Sequence, residues 1–169
     1  MNQHGLKIKL ISPQMTLRPM DSEFKRKMSP SLTLVTLASL TPDIHNVYIE
    51  DENLKPVNFD DNRDLVGINV NVDTTYRAFQ ISKRYRERGV KVVFGGIHAS
   101  SNPESMLEHC DSVCIGEAEE IWEHILNDVS NNSLKKIYVN ESLTDLSNVP
   151  TPNWDLEIGR ASCRERVCV

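Results

Sequence analysis

Glycine residues follow two predicted strands, at positions where a ligand could approach the main chain. Gly95 and Gly96 form a pair after one apolar run, and Gly116 follows the next run. Because glycine has no Cβ, the backbone there can come close to a ligand and offer its N–H groups without steric cost. The same glycines would also be expected if they only ended the strands in tight turns. A binding site and a set of plain turns therefore both fit this pattern.

The sequence shows no recognisable pattern of catalytic side chains. No nucleophile beside a base, no metal-binding triad and no pair of carboxylates stands out from the spacing. The 4 cysteines lack the two-residue spacing of a zinc site and form no run that suits an iron–sulfur cluster. Cys110 and Cys114 are expected to act as small buried hydrophobic residues. The sequence therefore favours a domain that holds a ligand over one that completes a reaction alone.

Alternating strands and helices must position the glycines. Strands are predicted at residues 6–11, 45–49, 65–72, 90–94 and 112–115, with helices between them. The run at 65–72 is almost continuously apolar, which is typical of a central strand covered on both faces. We therefore predict an α/β fold: a Rossmann-like, doubly wound parallel sheet of about five strands, with helices on both faces. In such sheets ligands bind outside the carboxyl ends of the strands.

Three common ligand sites of such folds do not match the loops at these strand ends. The loop after the first strand has no glycine for a dinucleotide, and it is not rich in Ser, Thr and Gly as a flavodoxin-type phosphate loop would be. A phosphoacceptor site of the receiver type needs acids after the first and third strands and a lysine after the fifth. This chain has Ser12, Asn71 and Glu117 at those places.

Charge and hydropathy limit the partners and the compartment. The net charge of −5 argues against a nucleic-acid surface, which needs clustered excess Lys and Arg. The basic cluster Lys83, Arg84, Arg86 and Arg88 is expected to be the solvated face of a helix. No apolar run approaches the roughly 20 residues of a membrane span, and no secretory signal is visible at the N-terminus. We expect a cytoplasmic protein with no nucleic-acid or membrane partner.

The chain divides into three predicted parts. Residues 1–135 form the Rossmann-like domain, 136–156 a linker that could begin with an edge strand at 136–139, and 157–169 a tail. The tail has no apolar period, and its order EIGRASCRERV resembles a translated sequencing adapter. We expect the tail to be dispensable and the native chain to be a fragment of a longer protein.

Five short stretches in order resemble one family. They are LISP near the start, PSLTLVTLASLTP at 30–42, DLVGINV at 64–70, VVFGGIHAS at 92–100 and IGEAE at 115–119. Together they look like the N-terminal B12-binding domain of cobalamin-dependent radical SAM enzymes. The resemblance covers residues 6–156, and the ending NVPTPNWDL is similar to the linker that leads into the radical SAM barrel of that family.

The resemblance implies that cobalamin binds with its nucleotide tail between strand ends and its corrin ring across the top. In that arrangement Gly95 and Gly96 admit the tail closely, and Gly116 with Glu117 closes the far side. His98 belongs to the family's G-G-x-H pattern, although a polar loop residue that bonds the backbone fits this position equally. The full set of implied cofactor-binding residues is Ser12, Asn71, Thr74, Thr75, Gly95, Gly96, His98, Gly116 and Glu117.

The loop after the first strand departs from the wider B12-binding pattern. Many B12 domains carry D-x-H-x-x-G there, and its histidine binds cobalt, whereas residues 12–17 contain no histidine. We therefore predict no metal ligand from the protein. The resemblance implies a cobalamin-binding domain of a methyltransferase-like radical SAM enzyme, not catalytic alone. The 4Fe–4S cluster and S-adenosylmethionine would belong to a missing C-terminal domain. The alternative is a structural or substrate-docking domain of the same fold that has lost cobalamin.

Overall fold

The structure is a computed structural model that describes residues 5–16, 31–140 and 149–152. A helix start predicted at Ser29 and Pro30 lies outside these residues, as does the predicted tail at 157–169. Within the described part, no helix is both long enough and apolar enough to cross a bilayer.

All six strands of the described part belong to one parallel sheet. They are β1 (Lys7–Ser12), β2 (Asn46–Asp51), β3 (Leu65–Asn69), β4 (Lys91–Gly95), β5 (Ser112–Ile115) and β6 (Ile137–Val139). The spatial order β2-β1-β3-β4-β5-β6 places the reversal of winding between β1 and β3. The predicted doubly wound α/β fold is confirmed, with one strand more than expected.

Helices cover both faces of this sheet. The described helices are α1 (Leu32–Leu40), α2 (Thr75–Arg86), α3 (Ile97–Ser101), α4 (Pro103–Leu107) and α5 (Trp122–Ser130). Buried residues of α1 and α5 pack in one cluster, and those of α2, α3 and α4 pack in another. Because side chains alternate along a strand, Leu65 faces the first cluster while Val66 and Ile68 face the second.

Local sequence accounts for the boundaries of α2. Its buried residues are Ala78, Ile81, Ser82 and Tyr85, one helical face as predicted. Gly89 adopts a φ of 78°, and after it Val90 N–H donates to the Tyr85 carbonyl at 3.1 Å. Glycine tolerates this left-handed conformation, which reverses the chain and directs it into β4.

Most predicted strand bounds differ from the structure by one or two residues, and larger differences occur after β3 and β4 and before α5. β3 ends at Asn69 rather than at residue 72, since a turn closed by Thr74 N–H donating to the Asn71 carbonyl intervenes. A short helix occupies 97–101, where a loop was expected. The sequence predicts the last helix from about residue 117, whereas in the structure it begins at Trp122. Residues 137–139 pair with β5, so the sheet reaches into the predicted linker. The division into domain and linker remains a prediction.

Candidate functional site: a cavity at the strand ends

A cavity of about 540 Å³ opens at the carboxyl end of the sheet, on the face covered by α1 and α5. We call it the strand-end cavity. Its floor comes from β1, β3, β4 and β5, and its lining residues there are Leu10, Gly67, Ile68, Asn69, Val93, Gly95 and Cys114. The cavity therefore adjoins the β1–β3 reversal, which is where open parallel sheets bind ligands.

Register divides this floor into an inner and an outer level. Gly67 is paired with Leu10 on one side and with Val93 on the other, and these three residues form the inner level. Asn69 is paired with Gly95 two residues further along, at the outer level. With a rise of about 3.3 Å per residue, the levels lie about 7 Å apart along the strands.

Two glycines create the depth of the cavity. A Cβ on Gly67 would lie 2.9 Å from Leu10 Cδ2, too close for ordinary contact. A Cβ on Gly95 would lie 3.9 Å from the Cys114 Cβ, an ordinary contact, so a larger side chain there would project into the cavity. Glycine within a central strand often marks a close approach by a ligand or by another backbone.

Two helices form the walls. Leu34 and Leu37 of α1 line one side, and Trp122 and Ile125 of α5 line the other. The indole Nε1 of Trp122 donates to Thr41 Oγ1 at 2.9 Å, which ties α5 to the end of α1. The walls therefore present hydrocarbon and an aromatic ring, while the polar atom of that ring is already bonded.

The mouth of the cavity is polar and is shaped by two turns in which a glycine has a positive φ. Gly96 has a φ of 100°, and a Cβ there would collide with Asn69 Oδ1 and lie 2.9 Å from the Val70 carbonyl oxygen. Gly116 has a φ of 84°, and its N–H donates to Ser100 Oγ at 3.1 Å. Ser101, Glu117 and Glu119 complete this rim. Only glycine fits both turns without strain.

Of the nine residues predicted for the site, four line the cavity and five do not. Gly95, Gly96, Gly116 and Glu117 are brought together at its mouth. Ser12, Asn71, Thr74, Thr75 and His98 are absent from its lining.

The residues after β3 are engaged in a turn instead. The hydroxyls of Thr74 and Thr75 both donate to the Asn71 carbonyl, at 3.2 and 2.8 Å, and Asn71 N–H donates to Thr74 Oγ1 at 2.9 Å. His98 lies in α3, where its N–H donates to the Val70 carbonyl at 3.2 Å. The Ser12 carbonyl accepts from Glu52 N–H at 2.9 Å. A role of these five residues in cofactor binding stays a prediction.

Sequence reasoning missed Gly67 and Asn69. Gly67 stood inside the quoted stretch DLVGINV, and a glycine within a predicted central strand was the available signal. Asn69 had no such signal, because it was expected inside the strand rather than at its end. Only the register with Gly95 places it at the mouth.

The loop after β1 is hydrogen-bonded to the residues that follow β2, on the side of β1 away from β3. Gln14 N–H donates to Glu52 Oε2 at 3.0 Å, and Met15 N–H donates to Asn53 Oδ1 at 3.0 Å. Arg77 Nε holds the same Glu52 carboxylate at 2.9 and 3.0 Å, and these hydrogen bonds raise the pKa of the guanidinium. Residues 13–16 are not among the residues that line the cavity.

The ionisable side chains that line the cavity are Cys114 on its floor and Glu117 and Glu119 at its rim. Burial raises the pKa of the Cys114 thiol to about 12, so it stays neutral on the floor. No group of three His, Cys, Asp or Glu side chains that could hold a metal ion occurs in the described ranges. The arrangement can bind and orient a ligand and shield part of it from water.

A second, larger cavity lies at the amino end of the sheet. It encloses about 730 Å³ between α2 and the residues after α4, and it reaches Gly89 and Lys91 at the amino end of β4. Ligands of open parallel sheets collect at the opposite end. We therefore take the strand-end cavity as the functional site.

An open parallel sheet with a glycine-floored cavity beside its winding reversal defines a small-ligand-binding domain of the doubly wound class. The chain belongs to the B12 binding domain family, whose pattern matches residues 35–126, more than half of the chain. This match confirms the family resemblance seen in the sequence.

Two curated relatives are methyltransferases from Chlorobaculum tepidum. Bacteriochlorophyllide d C-8(2)-methyltransferase is 36% identical over 149 residues, which cover 88% of this chain and 33% of that protein. Bacteriochlorophyllide d C-12(1)-methyltransferase is 26% identical over 134 residues, which cover 78% of this chain and 29% of that protein. The chain thus spans about a third of the length of the relatives it matches.

Proposed function

We propose that this chain binds cobalamin, with the nucleotide tail in the strand-end cavity and the corrin ring across the strand ends. The observation that carries the proposal is the pair of glycines, Gly67 and Gly95, that opens the floor of the cavity. Side chains at these two places would fill it. A domain that used the same fold only for support would gain stability from filling this space.

The residues present suit such a ligand. At about 540 Å³ the cavity lies within the range of 300–1,000 Å³ that is common for small-molecule sites. Leu34, Leu37, Trp122 and Ile125 would enclose the apolar base of the tail. At the mouth, the polar side chains of Asn69 and Ser100 would meet its ribose and phosphate, whose oxygens need hydrogen-bond donors.

The rim also suits the edge of a corrin ring. Corrin carries peripheral amides, whose N–H groups can donate to the Glu117 and Glu119 carboxylates. Cobalamin supplies a cobalt centre that can carry a methyl group, and this chain supplies the binding site that holds and orients the cofactor. In this proposal the domain holds and orients the cofactor and is not catalytic alone.

The whole protein is proposed to be a methyltransferase-like radical SAM enzyme. Its support is that both curated relatives are methyltransferases about three times as long as the matched segment. In this proposal a C-terminal domain holds a 4Fe–4S cluster and S-adenosylmethionine and acts as the partner of the B12 domain. The free, buried thiols of Cys110 and Cys114 suit a reducing compartment, and we propose the cytoplasm.

Retention of cobalamin tests the proposal directly. The purified chain is mixed with hydroxocobalamin, desalted and measured in the visible range, and a stoichiometric corrin spectrum is expected in the protein fraction. Cobinamide, which lacks the nucleotide tail, should bind at least tenfold more weakly. If neither compound stays with the folded protein, the chain is a structural or docking domain instead.

A further inference from the structure

We infer that the strand-end cavity selects cobamides whose tail carries a benzimidazole-type base over those that carry a purine. The inference rests on the proposed function and names the ligand class that the cavity prefers. It follows from the chemistry of the inner level of the floor and of the two walls.

Among the described residues that line the cavity, those at the inner level carry no polar side chain. Leu10, Gly67 and Val93 form it, and Leu34 and Ile125 stand above it on the helices. Leu10, Gly67 and Val93 lie in strands paired on both sides, so their N–H and carbonyl groups face neighbouring strands rather than the cavity. A base that reaches this level meets hydrocarbon.

Thr33, Cys114 and Trp122 also line the cavity and carry polar atoms. Thr33 is exposed in the first turn of α1, and Cys114 lies two residues after Ser112 on β5, at the outer level beside Gly95. The Trp122 indole N–H, the donor of its wall, is directed to Thr41 Oγ1 at 2.9 Å. Cys114 is a neutral thiol, which is only a weak donor and acceptor. The polar side chains of the cavity instead belong to its mouth, where Asn69 and Ser100 lie.

A purine and a benzimidazole differ in the free energy of burial against this apolar surface. Adenine brings an exocyclic amino group and additional ring nitrogens that are hydrogen-bonded in water. Buried against Leu10 and Val93 without partners, they lose those bonds. Dimethylbenzimidazole carries methyl groups at the corresponding edge and gains from the same contact. Since apolar pockets reject added polar atoms only moderately, we expect about a 10- to 100-fold preference.

One buried hydroxyl lies level with Val93 but outside the cavity lining. Ser112 lies on β5 two residues before Cys114 and therefore on the same face, paired in register with Val93. Its Oγ is fully buried and has no hydrogen-bond partner among the described residues, although Ser112 does not line the cavity. If a purine could reach that hydroxyl, the preference would shrink.

A titration with three ligands tests the inference. Quenching of tryptophan fluorescence is followed as hydroxocobalamin, its adenine-containing counterpart and cobinamide are added separately to the full chain. We expect dissociation constants in the order cobalamin, adenine cobamide, cobinamide, with the first two separated at least tenfold. Equal affinity for cobalamin and the adenine cobamide overturns the inference and leaves the proposed function intact. Failure of all three to bind overturns both, and cobinamide binding as tightly as cobalamin shows that the cavity holds no base.

Two substitutions identify the level that sets the preference. Val93→Thr adds a hydroxyl to the inner level at nearly constant volume and should narrow the preference to less than tenfold. Ser112→Ala removes the unpartnered hydroxyl and should leave the preference unchanged. A preference that rises sharply in Ser112→Ala would show that this hydroxyl contacts the purine, contrary to the inference. Thermal unfolding of both variants verifies that they fold, and the three-ligand titration of the parent protein stands independently of them.

Discussion

The indole Nε1 of Trp122 lies 2.9 Å from Thr41 Oγ1, and this hydrogen bond joins the first residue of α5 to the residue that ends α1. The Thr41 hydroxyl in turn donates to the Leu37 carbonyl at 2.8 Å. Both helices line the strand-end cavity, so the contact sets the distance between its walls. Trp122 is only 3% exposed, and its N–H has no water to replace a lost partner.

Replacing Thr41 with valine should destabilise the protein. An unsatisfied buried donor costs about 1–3 kcal/mol, which corresponds to a fall in Tm of roughly 3–10 °C for a domain of this size. Thr33→Val, at an exposed position of the same helix, should leave Tm unchanged within about 2 °C. Adding Trp122→Phe to Thr41→Val removes the orphaned donor, and the double variant should lose less stability than the sum of both single changes. Strict additivity would show that the two side chains do not interact.

Gly95→Leu should abolish cobalamin retention while the fold survives. Gly95 has an ordinary strand conformation, and a side chain there would point into the cavity. Leucine would therefore fill the proposed binding site without backbone strain. Gly96 is a poorer choice, because its φ of 100° and the nearby Val70 backbone would strain any substitute. Gly89→Asn, in open space at the other end of the sheet, is the matched control and should bind normally.

Far-UV circular dichroism and Tm establish that the Gly95→Leu variant is folded before hydroxocobalamin is added. Retention equal to that of the parent would mean that the tail does not enter the strand-end cavity.

A buried charge cluster beneath the other face stabilises the fold. Lys9 is fully buried in β1, and its Nζ lies 2.8 Å from Glu50 and 2.6 Å from Asp61. Lys9→Met removes the buried cation that both carboxylates share, leaving Asp61 with Arg63 and Glu50 with the exposed Lys55, and should cost about 3–5 kcal/mol of unfolding free energy. Lys55→Met should cost less than about 1 kcal/mol, since Lys55 is exposed and 3.9 Å from the same Glu50. Urea unfolding measures both, and equal effects would contradict a special role for the buried lysine.

The same cluster predicts how stability depends on pH. Burial raises the pKa of Asp61, but hydrogen bonds from Lys9 and Arg63 outweigh it and leave that pKa below its usual 3.8. Burial lowers the pKa of Lys9, yet bonds to Asp61 and Glu50 leave it above 10.5. The Asp61 contribution is present above pH 3.8 and is lost as the pH falls through the folded pKa. The Lys9 contribution is present below pH 10.5 and is lost as the pH rises through its own folded pKa.

Asp61→Asn should therefore flatten the acid limb of the curve of unfolding free energy against pH. An acid limb as steep as that of the parent would assign the effect to other carboxylates.

No protein histidine is expected to bind cobalt. The loop at 12–17 contains none, and no histidine lines the cavity in the described part of the chain. His45 accepts a hydrogen bond from Leu6 N–H at 3.0 Å, His109 stacks on Phe79, and His98 lies beside Asn102. Electron paramagnetic resonance of the Co(II) form with bound cobinamide should show no nitrogen superhyperfine splitting. A persistent splitting would reveal a protein nitrogen ligand, since cobinamide has no benzimidazole of its own.

The amino-acid sequence alone determined the class of fold, the family and the edge of the sheet that carries the site. Alternation of apolar strands and amphipathic helices is a local property, and each period can be read within one element. The glycines after β4 and β5 were also readable locally, because the left-handed backbone of Gly96 and Gly116 requires that residue type.

Tertiary structure decided which residues share the cavity. Gly67 matters because register sets it between Leu10 and Val93, residues far apart in the chain. Thr74 was expected at the ligand, but its hydroxyl bonds the turn three residues back. Lys9 appeared only as a polar residue in an apolar strand, whereas Glu50 and Asp61 reach it from distant segments. These relationships depend on strand pairing across long loops, and no local period of the sequence encodes that pairing.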